Sequence, residues 1–379
     1  MAFGDSIEDV ELNPYKWATH IGKLEKLARG EDVFPVTVEL DLVGYCNHAC
    51  GWCVDPTHTG HALNRTFVSK LQNELKSLGI RGIVFKGGGE GTLHPSYAEI
   101  LEETKGLGFE VGIVTNGSKL SELYEPITKN ACYVRVSIDG PTPESHRNIH
   151  KSNDFDAIIA GVKKLIQLRD SLKQRHPIIG ISFAMDYSLI DLVDDAVKMG
   201  DAIGVNYVFF RPPFLEETGR KNILSVEQKS ALLAAFERGK KNYPGEMKVF
   251  IDYWISDSEA AYFPSRGVSP RRGKYTQKGV NGIEHVTGRC LASPLLAVIT
   301  ADKKVYPCCN LRLIEEWSIG TIDYESGNTF EKLWYGKKRK EILDKIHKIE
   351  CIRFCTHPLS RYNEIIEYLK TPQHHSGFV

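Results

Sequence analysis

Cys46-Asn47-His48-Ala49-Cys50-Gly51-Trp52-Cys53 is the stretch whose reading decides the fold and chemistry of this chain. It follows an apolar run, 36–42, with the length and composition of a strand, and leads into a polar, turn-rich loop, 55–64. Three thiolates on one loop at C-x3-C-x2-C spacing can hold three irons of a [4Fe–4S] cube, since thiolate is the ligand such clusters take. A cube has four irons, so one is left open to bind a small molecule directly. The competing reading is a zinc loop, which more often uses paired C-x2-C units and needs a fourth ligand, or three thiols that meet nothing.

Outward from this loop the chain alternates strand and helix. Strands are expected at 36–42, 82–86, 110–115, 133–138, 178–185 and 205–210, and helices near 66–78, 95–107, 154–172, 189–202 and 225–240. Ahead of them, Trp17, Ile21, Leu24 and Leu27 have helical spacing within 13–27. Strands each followed by a helix or loop imply parallel pairing through right-handed crossovers. The expected fold is therefore α/β, a partial (β/α)6 TIM-like barrel, in which chemistry gathers at the C-terminal ends of strands. The Cys loop, Gly87-Gly88-Gly89-Glu90, Asn116-Gly117, Asp139-Gly140-Pro141 and Arg211-Pro212-Pro213 all fall at such ends.

The Cys loop, with Trp52 before its third Cys, resembles the signature of the radical S-adenosylmethionine (SAM) enzymes. Gly87-Gly88-Gly89-Glu90 resembles their "GGE" motif, although family members often have Pro where this chain has Gly91. The glycines let backbone approach a ligand closely; taken alone they are equally a tight strand-to-helix turn. The resemblance implies that SAM's amine and carboxylate occupy the open iron, with Trp52, Gly87, Gly88, Gly89 and Glu90 beside it. Asn116, Ser137, Asp139 and Arg211 are candidates for SAM's ribose and carboxylate, each of them otherwise a cap or loop anchor. A basic residue is expected after the fourth strand. The usual Arg-Gly pair is absent, and Arg147 and Lys151 stand as alternatives, with His150 between them.

Five cysteines gather near the C-terminus: Cys290, Cys308, Cys309, Cys351 and Cys355. Between them, 295–300 and 304–306 flank Ala301-Asp302-Lys303 as a β-hairpin, and 329–346 reads as an amphipathic helix. This resembles the Twitch extension of radical SAM enzymes, the shorter relative of SPASM, a small α+β module. It implies an auxiliary [4Fe–4S] cluster on Cys290, Cys308, Cys351 and Cys355, with Cys309 able to replace Cys308; a zinc knob is the alternative. The expected division is 1–34 helical extension, 35–240 partial barrel, 241–289 linker or lid, 290–360 cluster module and 361–379 helix and tail. In the linker, Arg266, Arg271, Arg272 and Lys274 make either a solvated loop or a basic lid.

With 379 residues and a formal charge of zero, the chain is of ordinary globular composition, with no electrostatic case for nucleic acid or membrane surfaces. No apolar run approaches the roughly 20 residues of a spanning helix. Eight of the nine cysteines, in a tight triplet and a terminal group, read as metal ligation in a reducing cytoplasm, not as disulfides. By resemblance, the enzyme is an oxidoreductase fed by an electron donor such as flavodoxin or ferredoxin. It abstracts hydrogen from a small-molecule substrate, most often a hydroxyl-bearing carbon of an aminoglycoside-like sugar or cyclitol. Epimerisation and peptide modification are alternatives, although the segment before the first strand is short for a peptide-recognition domain; a non-catalytic metal scaffold is the reading from a different class. Candidate acid–base or hydrogen-donor residues are His94, Asp139, Arg211, Cys309 and Cys132, the last also a core thiol.

Overall fold

The computed structural model describes residues 16–53, 55, 58–211, 225–251, 290–312, 314–346 and 359–370. Six parallel strands run in sequence order: β1 (Thr37–Leu40), β2 (Gly82–Phe85), β3 (Glu110–Thr115), β4 (Tyr133–Ser137), β5 (Ile178–Ala184) and β6 (Tyr207–Arg211). A further parallel strand, β7 (Lys248–Ile251), lies beyond β6, inside the stretch expected as linker. At the other edge, β8 (Leu296–Ile299) pairs parallel with β1, and β9 (Lys304–Tyr306) and β10 (Gly320–Thr321) add antiparallel strands. All ten make one open sheet, in the order β10-β9-β8-β1-β2-β3-β4-β5-β6-β7. The hairpin expected at 295–306 is thus present, and it extends the barrel's own sheet alongside β1.

The helices are α1 (Ile21–Ala28), α2 (Arg65–Ser77), α3 (Tyr97–Gly106), α4 (Leu120–Asn130), α5 (Pro143–His150), α6 (Phe155–Ser171), α7 (Val193–Ile203), α8 (Val226–Asn242), α9 (Phe330–Trp334), α10 (Lys337–Ile346) and α11 (Leu359–Lys370). The single helix expected over 329–346 is two, α9 and α10. The break falls at Tyr335-Gly336, and Arg339 locks it, its Nη1 donating to the Trp334 carbonyl at 3.0 Å and to Asp32 at 2.6 Å.

Strand alternation sorts the two faces of the sheet. Val38, Leu40, Ile83, Phe85, Val134 and Val136 point to the helix-covered side and share one core with Leu71, Ile100, Ile127 and Ile158. Each such buried side chain contributes about 1.5–3 kcal/mol. The other face carries Glu39, Asp41, Lys86, Arg135, Ser137, Ser182 and Arg211, so polar groups collect where the strands end. α1 and α11 form a second, smaller core, Leu24 and Leu27 against Ile366, Leu291 and Leu295.

Candidate active site

The cysteine loop is fastened to the end of α5. Ala49 N–H donates to the His150 carbonyl and Gly51 N–H to the Ile149 carbonyl, both at 3.0 Å. α5 begins on a Thr142–Ser145 capping box with Pro143 in its first turn, and ends at Lys151 in left-handed backbone, φ 55°. Within it, His146 and His150 are one turn apart and both buried, so they share the face turned to the loop.

A hydrogen-bonded histidine–aspartate scaffold results. His48 Nε2 lies 2.8 Å from Asp154 Oδ2, and His146 Nε2 lies 3.2 Å from Asp154 Oδ1. His146 Nδ1 donates to the Ile138 carbonyl at 2.9 Å. His150 Nε2 donates to Asp139 Oδ2 at 3.0 Å, while its Nδ1 stands 3.0 Å from His48 Nδ1 and 3.3 Å from Cys50 Sγ. The groups His48–Cys50–His150 and His48–His146–Asp154 each bring their donor atoms within 4.8 Å. The spacings of His48 and His146 from Asp154 are hydrogen-bond lengths, shorter than the roughly 3.3 Å edge of a tetrahedral zinc site. Burial disfavours charge on Asp154, but bonds from Ser152, His48 and His146 outweigh it and hold its carboxyl below the usual range. Asp139 is likewise held low against burial, by His150, the Ala184 amide and the Arg211 charge.

The second wall is the glycine turn after β2. Glu90 N–H donates to the Tyr45 carbonyl at 2.9 Å. A Cβ on Gly89 would stand 2.3 Å from that same carbonyl, so the approach requires glycine. Glu90 Oε1 accepts from Thr92 N–H (3.1 Å), Thr92 Oγ1 (2.6 Å) and Thr115 Oγ1 (2.6 Å), and Oε2 accepts from Asn116 N–H at 2.7 Å. Asn116 Nδ2 in turn donates to Asn47 Oδ1 at 2.9 Å and lies 3.7 Å from Cys46 Sγ. Cys loop, glycine turn and β3 end are therefore one bonded unit.

Burial pushes the Cys46 and Cys50 thiols up, and the charge of Cys53 raises both further. The three sulfurs thus sit within electrostatic reach of one another, where cluster irons would compensate their charge. Trp52 Nε1 is buried with no hydrogen-bond partner among the described residues. Glu90 Oε2 accepts one bond and keeps a lone pair for an ammonium. These residues fit a [4Fe–4S] cluster with SAM on its open iron.

The remaining candidates are distributed as follows. Ser137 Oγ lies 3.4 Å from Ser182 Oγ at the ends of β4 and β5. Arg211 ends β6, its carbonyl accepting from Met185 N–H at 3.1 Å and its charge acting on Asp139. Arg147 and Lys151 are on the exposed side of α5, and Lys151 Nζ donates to the Asn148 carbonyl at 2.7 Å. His94 commits both ring nitrogens to backbone: Nε2 donates to the Leu63 carbonyl at 2.6 Å and Nδ1 accepts from Ser96 N–H at 3.1 Å. Cys132 precedes β4, a strand length of about 17 Å from the end that carries the site.

Cys290 and Cys308 are held near the same end of the hairpin, where Ser293 Oγ donates to the Pro307 carbonyl at 2.8 Å. Burial pushes the Cys290 thiol up, and Asn363 Nδ2 of α11 lies 3.8 Å from its sulfur. A hydrogen bond with Cys308 draws the Cys309 thiol down. Cys351, Cys355 and the basic residues Arg266, Arg271, Arg272 and Lys274 lie outside the described residues. His48, His146 and Asp154 are the participants that reading the sequence missed. The signal available was the pair of histidines four apart after the fourth strand.

Comparison with known proteins agrees with this geometry. The model of the radical SAM superfamily matches residues 41–182. A probable GTP 3',8-cyclase of Thermococcus kodakarensis is 26% identical over 243 residues, 59% of this chain and 76% of the relative. An S-adenosylmethionine-dependent nucleotide dehydratase of Flammeovirga pacifica is 30% identical over 142 residues, 35% of this chain and 47% of that protein. Among solved structures, Streptococcus suis SuiB bound to precursor peptide SuiA superposes with a TM-score of 0.61 over 86% of this chain and 70% of that one, at 14% identity. anSMEcpe with bound AdoMet superposes with a TM-score of 0.58 over 85% and 88%, at 18% identity. Cysteine loop and glycine turn thus fall inside residues 41–182, the part of the chain that matches the radical SAM superfamily, on an open parallel sheet like that of these solved structures.

Proposed function

We propose that this protein oxidises a hydroxyl-bearing carbon of a small polar substrate, using SAM and a second, C-terminal [4Fe–4S] cluster. The observation that carries the reading is the bonded unit of Cys46–Cys53, Glu90 and Asn116, together with a second group of cysteines flanking the β8–β9 hairpin of the same sheet. When bound, the first cluster with SAM supplies a 5′-deoxyadenosyl radical that takes a carbon-bound hydrogen, and the second supplies an acceptor for the electron the carbinol radical then loses.

The chain's own residues do the rest. Cys46, Cys50 and Cys53 hold the first cluster. Trp52 and the Gly87–Glu90 turn hold SAM, with Glu90 Oε2 for its amine. Asn116, Ser137 and Arg211 line the strand ends where ribose, carboxylate and substrate meet. Cys290 and Cys308, with Cys351 and Cys355, hold the second cluster. The hydroxyl proton leaves as the ketone forms; Asp139, carrying His150 on one oxygen, is the carboxylate at that rim. An electron donor of the flavodoxin or ferredoxin kind feeds the first cluster.

A second reading has a specific observation behind it. Two relatives act, by name, on GTP or nucleotides, and the inner face here carries Lys86, Arg135 and Arg211. A phosphorylated, ribose-bearing substrate suits that face, and its chemistry need not be oxidation. Reduced protein with SAM should release 5′-deoxyadenosine. Replacing Cys46, Cys50 and Cys53 together by Ala should abolish this and leave about four irons per chain, one cube. Zinc in that variant contradicts the second cluster, and continued SAM cleavage contradicts the first.

A further inference from the structure

The segment after the Cys308–Cys309 pair reaches back to the glycine turn. Arg312 is largely buried, its Nη2 pairs with Asp41 Oδ1, and its Nη1 lies 3.9 Å from Glu39 Oε2. Glu39 Oε1 also pairs with Lys86 Nζ at 2.7 Å. Glu39 and Asp41 are two residues apart at the end of β1, on the face away from the helices, with 2% and 3% of their surfaces exposed. Two buried carboxylates this close are costly unless cations meet them, and Arg312 is the cation both share.

The other oxygen of Asp41 faces the SAM turn. Oδ2 accepts from Gly88 N–H at 3.1 Å. A Cβ on Gly87 would stand 2.0 Å from Asp41 Oδ1, so the turn is built to lie against this carboxylate. A continuous path runs from the C-terminal cysteine hairpin through Arg312 and Asp41 to the backbone of the glycine turn. We propose that Arg312 is a positioning residue for SAM: from outside the 41–182 radical SAM domain it fixes Asp41, and Asp41 fixes the Gly88 amide and with it the turn that SAM lies against. The SAM site is then complete only when the C-terminal strands are docked beside β1. The proposal rests on SAM binding at this turn and is independent of the reaction proposed above.

The charge balance supports the same path. Burial raises Asp41 to about 6 even with the Arg312 guanidinium beside it, pulling it back. Without that guanidinium the carboxyl takes up a proton more readily still. The protonated carboxyl can turn its O–H toward the Gly88 N–H, donor against donor, and the turn then loses its acceptor.

The test uses full-length, cluster-loaded protein, with labelled SAM in equilibrium dialysis and iron per chain measured alongside. Arg312→Gln should weaken SAM binding about tenfold, the worth of one hydrogen bond to a charged group, with iron content unchanged. Adding Asp41→Asn to Arg312→Gln supplies a neutral amide oxygen for Gly88 N–H and should restore affinity to within about threefold. Arg312→Lys keeps the charge but loses the fork and should weaken binding by about threefold, a readout that stands even if Arg312→Gln does not fold. Unchanged affinity in Arg312→Gln or Arg312→Lys at full iron content overturns the proposal. So does a double variant as weak as the single one, which would mean that the arginine only supports the fold. A wild-type protein that loads iron but binds no SAM would instead remove the SAM assignment of the turn.

Discussion

Asp154 sits where α5 gives way to α6 and carries an imidazole on each oxygen, His48 from the cysteine loop and His146 from α5. Its ionised form is favoured by folding, because the bonds from Ser152, His48 and His146 overcome burial. A carboxyl held below its unfolded value, about 3.9, gives stability that is full above that value and is lost as pH falls through the folded one. Urea unfolding of metal-free protein at a series of pH values should therefore show an acid limb that is shallower in Asp154→Asn than in wild type, with the variant less stable at pH 7. Identical limbs would remove Asp154 from the scaffold. None of this was legible in the sequence beyond the presence of histidines. His48, His146 and His150 become partners only because a loop and a helix about 100 residues apart are clamped together by two backbone bonds, and a side chain's partners across such a gap leave no local pattern.

The glycine turn makes its case as an element. Gly89 and Gly91 are two residues apart, yet their surroundings differ. A Cβ at Gly89 would overlap the Tyr45 carbonyl at 2.3 Å, whereas at Gly91 it would meet only the Tyr97 ring at 3.8 Å. Gly91 opens the short helical turn Gly91–Leu93, where proline is tolerated, and Glu90 before it is extended (φ −97°, ψ 101°), as a residue preceding proline must be. Gly89→Ala should cost about 1–3 kcal/mol as an overpacked contact and abolish SAM binding. Gly91→Pro should change stability by less than about 1 kcal/mol and leave SAM binding intact. Equal losses in both would mean that the turn is not held by its contact with Tyr45. Elements with long apolar runs or clear periodicity were legible: β1 to β6 and the helices α2, α3, α6, α7 and α8. β7 was not, because four residues of Lys-Val-Phe-Ile carry too little alternation. α4 was hidden by an internal Pro126 and α5 by its polar composition, and the α9–α10 break depends on Arg339 reaching Asp32, a contact far away in the chain.

At the scale of the whole molecule, the C-terminal strands do not stand apart from the barrel. β8 pairs with β1 residue for residue, from Thr37 with Leu296 to Leu40 with Ile299, and Arg312 closes the seam. The hairpin and the cysteine spacing were readable locally; its place beside β1 was not, since parallel pairing across some 260 residues leaves no periodic trace. This arrangement sets the Cys290–Cys308 end of the hairpin beside the start of β1, the strand whose other end launches the cysteine loop. The account therefore stands or falls on where the substrate's hydrogen and electron go. The direct measurement is the reaction of a substrate deuterated at the reacting carbon, followed by mass spectrometry in H2O and in D2O. The account predicts deuterium in 5′-deoxyadenosine and a product with a new carbonyl, lighter than the unlabelled substrate by two hydrogens. A product of unchanged oxidation level that takes one deuterium from D2O at carbon would contradict it and assign the protein to epimerisation.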